Sequence, residues 1–161
     1  MTPNSGDDVI LLPMNKPIAN DFSARLTALW TVFLLGTLFH TQLALMPLFH
    51  NLSVAESHAH NYISVNAVMW FMLIFFSLPL LAILGSVFHP SLRFRKLHFG
   101  MTLIYSVLNL LHLVMDSVIS VPGYQIVLMA LLFCVGLALN AVAYGWIKAH
   151  DSSAKHFNFS T

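Results

Sequence analysis

"HFGMTLIYSVLNLLHLVMDSVIS", residues 98–120, is long and apolar enough to cross a lipid bilayer, yet a row of polar residues runs through it. His98, Thr102, Tyr105, Asn109, His112 and Asp116 are spaced 4, 3, 4, 3, 4. An α-helix turns once every 3.6 residues, so this heptad-like spacing lays all six along one face. Polar groups are costly inside a membrane and face a neighbouring helix or a cavity rather than lipid. The stretch reads as a transmembrane helix with an inward polar stripe, and such a helix needs others to pack against. Interhelical hydrogen bonding alone is one reading of Thr102, Tyr105 and Asn109, beside an inward polar site. It accounts less well for His112 with Asp116, two ionisable groups one turn apart.

Three further apolar runs lie outward from this one, near 26–50, 62–87 and 124–148, each reaching the roughly 20 residues a spanning helix needs. The whole chain of 161 residues is 58% hydrophobic and only 8% charged, whereas soluble domains carry about a quarter charged residues. Mean hydropathy is +0.78. The expected fold is all-α: a polytopic integral membrane protein with four transmembrane helices in an up-down bundle. Residues 1–22 form a polar N-terminal tail, 23–150 the membrane domain and 151–161 a C-terminal tail. Asp21 or Ser23 is the expected N-cap of the first span, and Pro79 is expected to kink the second. "HPSLRFRK" (89–96) reads as the loop between the second and third spans, and "VPGY" (121–124) as a tight turn between the third and fourth.

Several function classes fall away at this point. A net charge of +1 offers no field for nucleic acid, and the single cysteine, Cys134, excludes a disulfide framework or CxxC metal site within one chain. The first 21 residues lack the basic start and apolar core of a secretory leader. No GxSxG, Walker A or HExxH motif is present. "NLS" (51–53) matches a glycosylation sequon, a short match that matters only in a eukaryotic secretory route.

Charge sets an orientation. Lys16, Arg25, Arg93, Arg95, Lys96, Lys148 and Lys155 all fall on one side of the four spans, and the other two loops carry none. The positive-inside rule then predicts that both termini and the 88–97 segment lie in the cytoplasm. Residues 51–61 and 120–123 face outward.

The first span contributes "GTLFHTQLALMPLFH" (36–50), with His40 in its interior and His50 at its end. Gly36 and Ala44 flank His40 by one turn, so that side of the helix either approaches a neighbour closely or leaves room for a flat group beside the imidazole. His40 lies about 10 residues before the outer end of the first span and His112 about 9 before the outer turn. At 1.5 Å per residue both sit roughly 14–15 Å below the outer surface. The first and third spans run in the same direction, so alternate helices of a four-helix bundle bring these histidines together across the core.

Two imidazoles on opposite walls suit one b-type haem, with Phe33, Phe39, Trp70 and Met115 as candidate walls. The His98-x13-His112 spacing resembles the stacked histidines on one helix of membrane cytochromes b. A second haem would require a histidine near Arg25 or Leu26, and none is there, which leaves His98 unused or at the cytoplasmic surface. The reading from these residues is a histidine-ligated redox cofactor for electron transfer, in an electron carrier rather than a stand-alone enzyme. A haem at this depth has no evident Arg or Lys for its propionates.

A second reading uses the outer face. "HNLSVAESHAH" (50–60) offers His50, Glu56, His58 and His60, and Asp116 and His112 approach it from below. This set suits copper, zinc or iron, or a proton-conducting or pH-sensing site, with Asp116 able to orient an imidazole. A third reading is an accessory subunit or assembly factor of a membrane complex, or a homo-oligomer. "WFMLIFF" (70–76) would then meet lipid or a partner, and Asn140, Tyr144 and Lys148 would form a second inward polar edge.

The stretches "GTLFHTQLALMPLFH", "SHAH" and "LHFGMTLIYSVLNLLHLVMD" together resemble a group of small uncharacterised cyanobacterial membrane proteins. The resemblance covers most of the chain. It implies location in a plasma or thylakoid membrane and carries no activity with it.

Overall fold

A computed structural model of the chain describes residues 18–50, 64–88, 91–119 and 121–158. It is all-helical: α1 Ile18–Phe49, α2 Val65–Phe88, α3 Leu92–Val118 and α4 Gly123–Asn158. Each helix contains a stretch of 23–27 residues apolar enough to cross a membrane. At 1.5 Å per residue the longer ones span about 40 Å, the full thickness of a bilayer with its headgroups. The chain is a four-helix membrane protein.

Two helix starts differ from expectation. α1 begins at Ile18, ahead of both proposed caps. Asp21 instead pairs with Arg25 one turn on, at 2.7 Å. The Ser23 hydroxyl donates to the Ser86 carbonyl at 3.1 Å and ties the start of α1 to the end of α2. α3 begins at Leu92, six residues before the expected span. Ser91 caps it in an extended conformation, its hydroxyl accepting from the Phe94 N–H at 3.3 Å. This contact satisfies one of the orphan donors of the first turn. Arg93, Arg95 and Lys96 therefore stand on the first turns of a helix rather than in a loop.

α4 packs along both α1 and α3, while α2 leans on α1 and meets α3 only narrowly. α1 and α3 thus face each other across the bundle. The packed core runs from the basic half of the bundle past its middle, to Leu132 and Met129 of α4. Leu26, Trp30 and Phe33 of α1, Tyr105 of α3, and Leu132, Leu139, Ala143 and Trp146 of α4 are buried there. Trp30 meets Phe33 and Tyr105 edge to face, with centroids 5.7 and 5.3 Å away, an arrangement favoured by the ring quadrupoles. Gly36 is the close-approach point of α1 and α4, because a Cβ there would collide with the Leu132 side chain. The notch expected beside His40 is therefore filled on that side by Leu132, with no room for a flat group.

Pro79 sits inside α2 and is buried. Having no N–H, it cannot bond the carbonyl four residues back, at Phe75. The Tyr105 hydroxyl takes that carbonyl instead, at 2.6 Å. A defect in α2 becomes its main polar tie to α3.

Candidate metal centre

The polar stripe read from α3 points inward: His98, Thr102, Tyr105, Asn109 and Asp116 are all buried, and His112 is the exception. The stripe ends where α1 faces α3. His112 and Asp116 are one turn apart on α3 and so neighbour one another. Across the bundle, α1 delivers His40 to the same point. The two imidazoles lie edge to face with centroids 5.2 Å apart. Asp116 reaches both: Oδ2 lies 3.5 Å from His40 Nε2, and Oδ1 lies 3.5 Å from His112 Nε2. One ligand atom from each residue fits within a 4.8 Å span. His40 and Asp116 are buried, whereas the His112 side chain is 53% exposed, so the cluster is reachable from one side.

Electrostatics makes this corner unusual. Among the described residues, Arg25, Arg93, Arg95, Lys96 and Lys148 all belong to the opposite end of the bundle, where Arg95 bonds the Trp146 carbonyl at 2.9 Å. No lysine or arginine of the described residues stands beside Asp116. A carboxylate taken out of water costs several kcal/mol unless a positive charge or strong donors compensate it. The two imidazoles are its described neighbours of that kind. At 3.5 Å their contacts lie beyond the usual range for a good hydrogen bond. His40 Nδ1 and Asp116 Oδ2 have no hydrogen-bond partner among the described residues.

Polar pairs elsewhere in the bundle look different. Asn140 Nδ2 donates to Ser106 Oγ at 2.8 Å, and Trp30 Nε1 donates to His98 Nε2 at 2.9 Å. Those pairs close at ordinary hydrogen-bond distances, although His98 Nδ1 and Asn140 Oδ1 are also without a partner among the described residues. The His40, His112 and Asp116 atoms converge without closing. The two 3.5 Å contacts go to different oxygens of Asp116, and one atom from each residue fits within 4.8 Å, so the side chains would draw together to reach the roughly 3.3 Å edge of a tetrahedron with metal–ligand bonds of about 2.0–2.1 Å.

The other expected residues fall elsewhere. His50 follows the last turn of α1, exposed, and is outside this cluster. Glu56, His58 and His60 lie outside the described residues. Of the expected haem walls, Phe33 belongs to the aromatic core with Trp30 and Tyr105. Phe39, Trp70 and Met115 are more than half exposed rather than packed around the imidazoles. They match the histidines in height, but each lies on the outer face of its helix. His98 is neither unused nor on the surface: it is 2% exposed and holds the Trp30 indole. Tyr144 is exposed and meets the Phe99 ring at a tilt, so only Asn140 of the expected α4 edge turns inward.

Sequence reasoning missed Trp30. The signal was present, because Leu26, Trp30, Phe33 and His40 recur at helical spacing and share the inward face of α1.

Fold and cluster define an integral membrane four-helix bundle with two histidines and one carboxylate converging near one end. Comparison of the chain with protein-family models, with curated proteins and with solved structures found no match. The site has to be read from its own geometry.

Proposed function

We propose that the protein is a membrane metalloprotein that holds one transition-metal ion between His40, His112 and Asp116. The observation that carries this reading is the convergence of three ligand atoms within 4.8 Å of one another, with contacts to Asp116 of 3.5 Å that are too long for good hydrogen bonds. A divalent ion there supplies the positive charge that a buried carboxylate needs, and it occupies lone pairs on both rings at once. Two imidazoles and a carboxylate suit iron, copper or zinc. Three protein ligands leave coordination positions open, as in catalytic rather than structural sites. The half-exposed His112 puts the approach on its side. Iron or copper would support electron exchange, and zinc would polarise a bound water. The chain's own residues position the ion, with Asp116 set by its helical register to His112.

Haem between the same histidines is supported less well. Rings in edge-to-face contact, with a carboxylate against both, leave no slot for a macrocycle unless α1 and α3 move apart. We further infer, from the positive-inside rule alone, that the basic end is cytoplasmic and the cluster lies toward the outer face.

The test is an absorption spectrum with total metal analysis on protein purified in detergent after expression with added haem and metals. The expected result is a protein without a Soret band that carries one metal ion per chain, lost in His40→Ala and Asp116→Asn. A Soret band lost in His40→Ala and His112→Ala restores the haem reading. Metal that survives both cluster variants but disappears when His58 and His60 are replaced moves the site to the 50–60 segment. A colourless, metal-free protein refutes every cofactor reading.

A further inference from the structure

α2 and α3 meet along one side of each helix, and only for part of their length. Gly85 of α2 lies against the Phe94 ring at the basic end of this contact. Phe75 meets Tyr105 at its other end, with ring centroids 4.9 Å apart. Helical spacing of three and four carries the same two sides on to Phe71 and Val68 of α2 and to Leu108 and His112 of α3. Seven residues past the last contact each row has climbed about 10 Å, so Val68 and His112 stand at one height. All four residues are exposed. Residues 66–71 take in every direction round α2 and are all exposed, so this end of the helix stands clear of its described neighbours. The two helices enclose a wedge, closed at Phe75 and Tyr105 and open to the side at His112.

That open side is where the candidate metal centre is reached. His112 is the half-exposed member of the cluster, and the exposed residues around it on α3, Leu108, Leu111 and Met115, are apolar. It stands six residues, about 9 Å, before the end of α3 at Val118. A helix of about 40 Å overhangs a 30 Å hydrocarbon layer by about 5 Å at each end, so His112 lies just inside the boundary. A ligand at this opening comes from the membrane and holds its polar group at that level. Charge narrows the choice. A divalent ion held by two neutral imidazoles and one carboxylate retains a charge of +1. One further monoanion neutralises it, which a site of low dielectric favours. Resting on the metal reading, we propose that the centre takes a long-chain carboxylate from the lipid phase. One carboxylate oxygen fills an open coordination position, and the chain runs down the wedge between Phe71 and Leu108 toward Tyr105. A membrane hydroquinone is neutral at pH 7, as phenols are, and a phospholipid phosphate lies further out, among the headgroups.

Full-length protein in maltoside detergent is stripped of metal, reloaded with cobalt(II) and titrated with oleate, while the visible bands of the ion report its ligands. Oleate is expected to change these bands at one molecule per cobalt. Oleyl alcohol, which brings no charge to the ion, binds at least about tenfold more weakly. Leu108→Trp and, from the other wall, Val68→Trp fill the wedge. Each weakens oleate by about tenfold, the loss of about two methylene contacts, in protein matched to the wild type in cobalt content and unfolding temperature. Protein that binds no cobalt refutes the metal reading and this proposal together. Cobalt bands that ignore oleate, or that respond equally to oleyl alcohol or dodecyl hydroquinone, overturn the proposal and leave the metal reading standing. So does an oleate affinity unchanged in both wedge variants.

Discussion

α3 carries two histidines on one inward stripe, fourteen residues apart and so about 21 Å apart along the axis, and the bundle treats them in opposite ways. His98 sits in an aromatic cage of Trp30, Phe94 and Trp146. It is almost wholly enclosed and spends one nitrogen on a short bond to Trp30. His112 is half exposed, and its nearest polar neighbours are an imidazole and a carboxylate at distances too long for good hydrogen bonds. One histidine is used as a packing residue with a polar tip. The other stands in a group of atoms that share a focus. The difference lies in bond distances and company rather than in residue type: His98 Nε2 closes a 2.9 Å bond with one indole, whereas His112 Nε2 stands 3.5 Å from a carboxylate that a second imidazole also approaches.

The comparison breaks most readily at Asp116. Loss of a direct ligand exceeds the 10–100-fold cost typical of outer partners of a metal site. Asp116→Asn is therefore expected to lower metal affinity by more than about 100-fold, measured by titration of metal-stripped protein. The fold should survive, because the change removes a charge that has no lysine or arginine beside it. At the other histidine the effect reverses. Trp30→Ala removes a fully buried ring and is expected to destabilise the protein by about 3–5 kcal/mol, measured by denaturant unfolding in micelles. Metal affinity of the folded fraction should then change less than about twofold. A large loss of metal binding in Trp30→Ala would show that the two ends are not separate.

A smaller effect sharpens the account of the closed half. Tyr105→Phe leaves the Phe75 carbonyl without a donor, at a cost of about 1–3 kcal/mol. Restoring a backbone N–H with Pro79→Ala should remove most of that cost, so the two changes couple in a double-mutant cycle. Additive effects would mean that the hydroxyl does not replace the missing helix bond. The smallest expected effect is at Asn140→Leu, about 0.6 kcal/mol for one interhelical hydrogen bond to Ser106.

Much of the bundle is legible in periodicity. Apolar runs mark the four helices, and the 4-and-3 spacing alone marks the inward face of α3. The shared depth of His40 and His112 anticipates their contact, because both helices run the same way and rise at a fixed rate. What periodicity does not carry is anything that depends on local chain direction. Ser91 opens α3 inside a stretch whose proline and charges look like a loop. Phe39, Trp70 and Met115 are near the histidines in height but on other faces. The third ligand is visible in the stripe, yet on spacing alone it goes with the outer loop, because sequence distance cannot show that Asp116 reaches both rings. Trp30 is hard to see because an indole in an apolar run looks like lipid-facing bulk. Its role appears only once Trp30 and Phe33 are placed on the same face as His40.

The central claim is that His40, His112 and Asp116 ligate a single ion, and X-ray absorption at the edge of the bound metal tests it most directly. The account predicts nitrogen and oxygen neighbours only, at about 2.0–2.2 Å, with outer-shell scattering from two imidazoles that falls by half in His40→Ala protein reloaded at high metal. Sulfur in the first shell, or a spectrum unchanged by His40→Ala and Asp116→Asn, would contradict it.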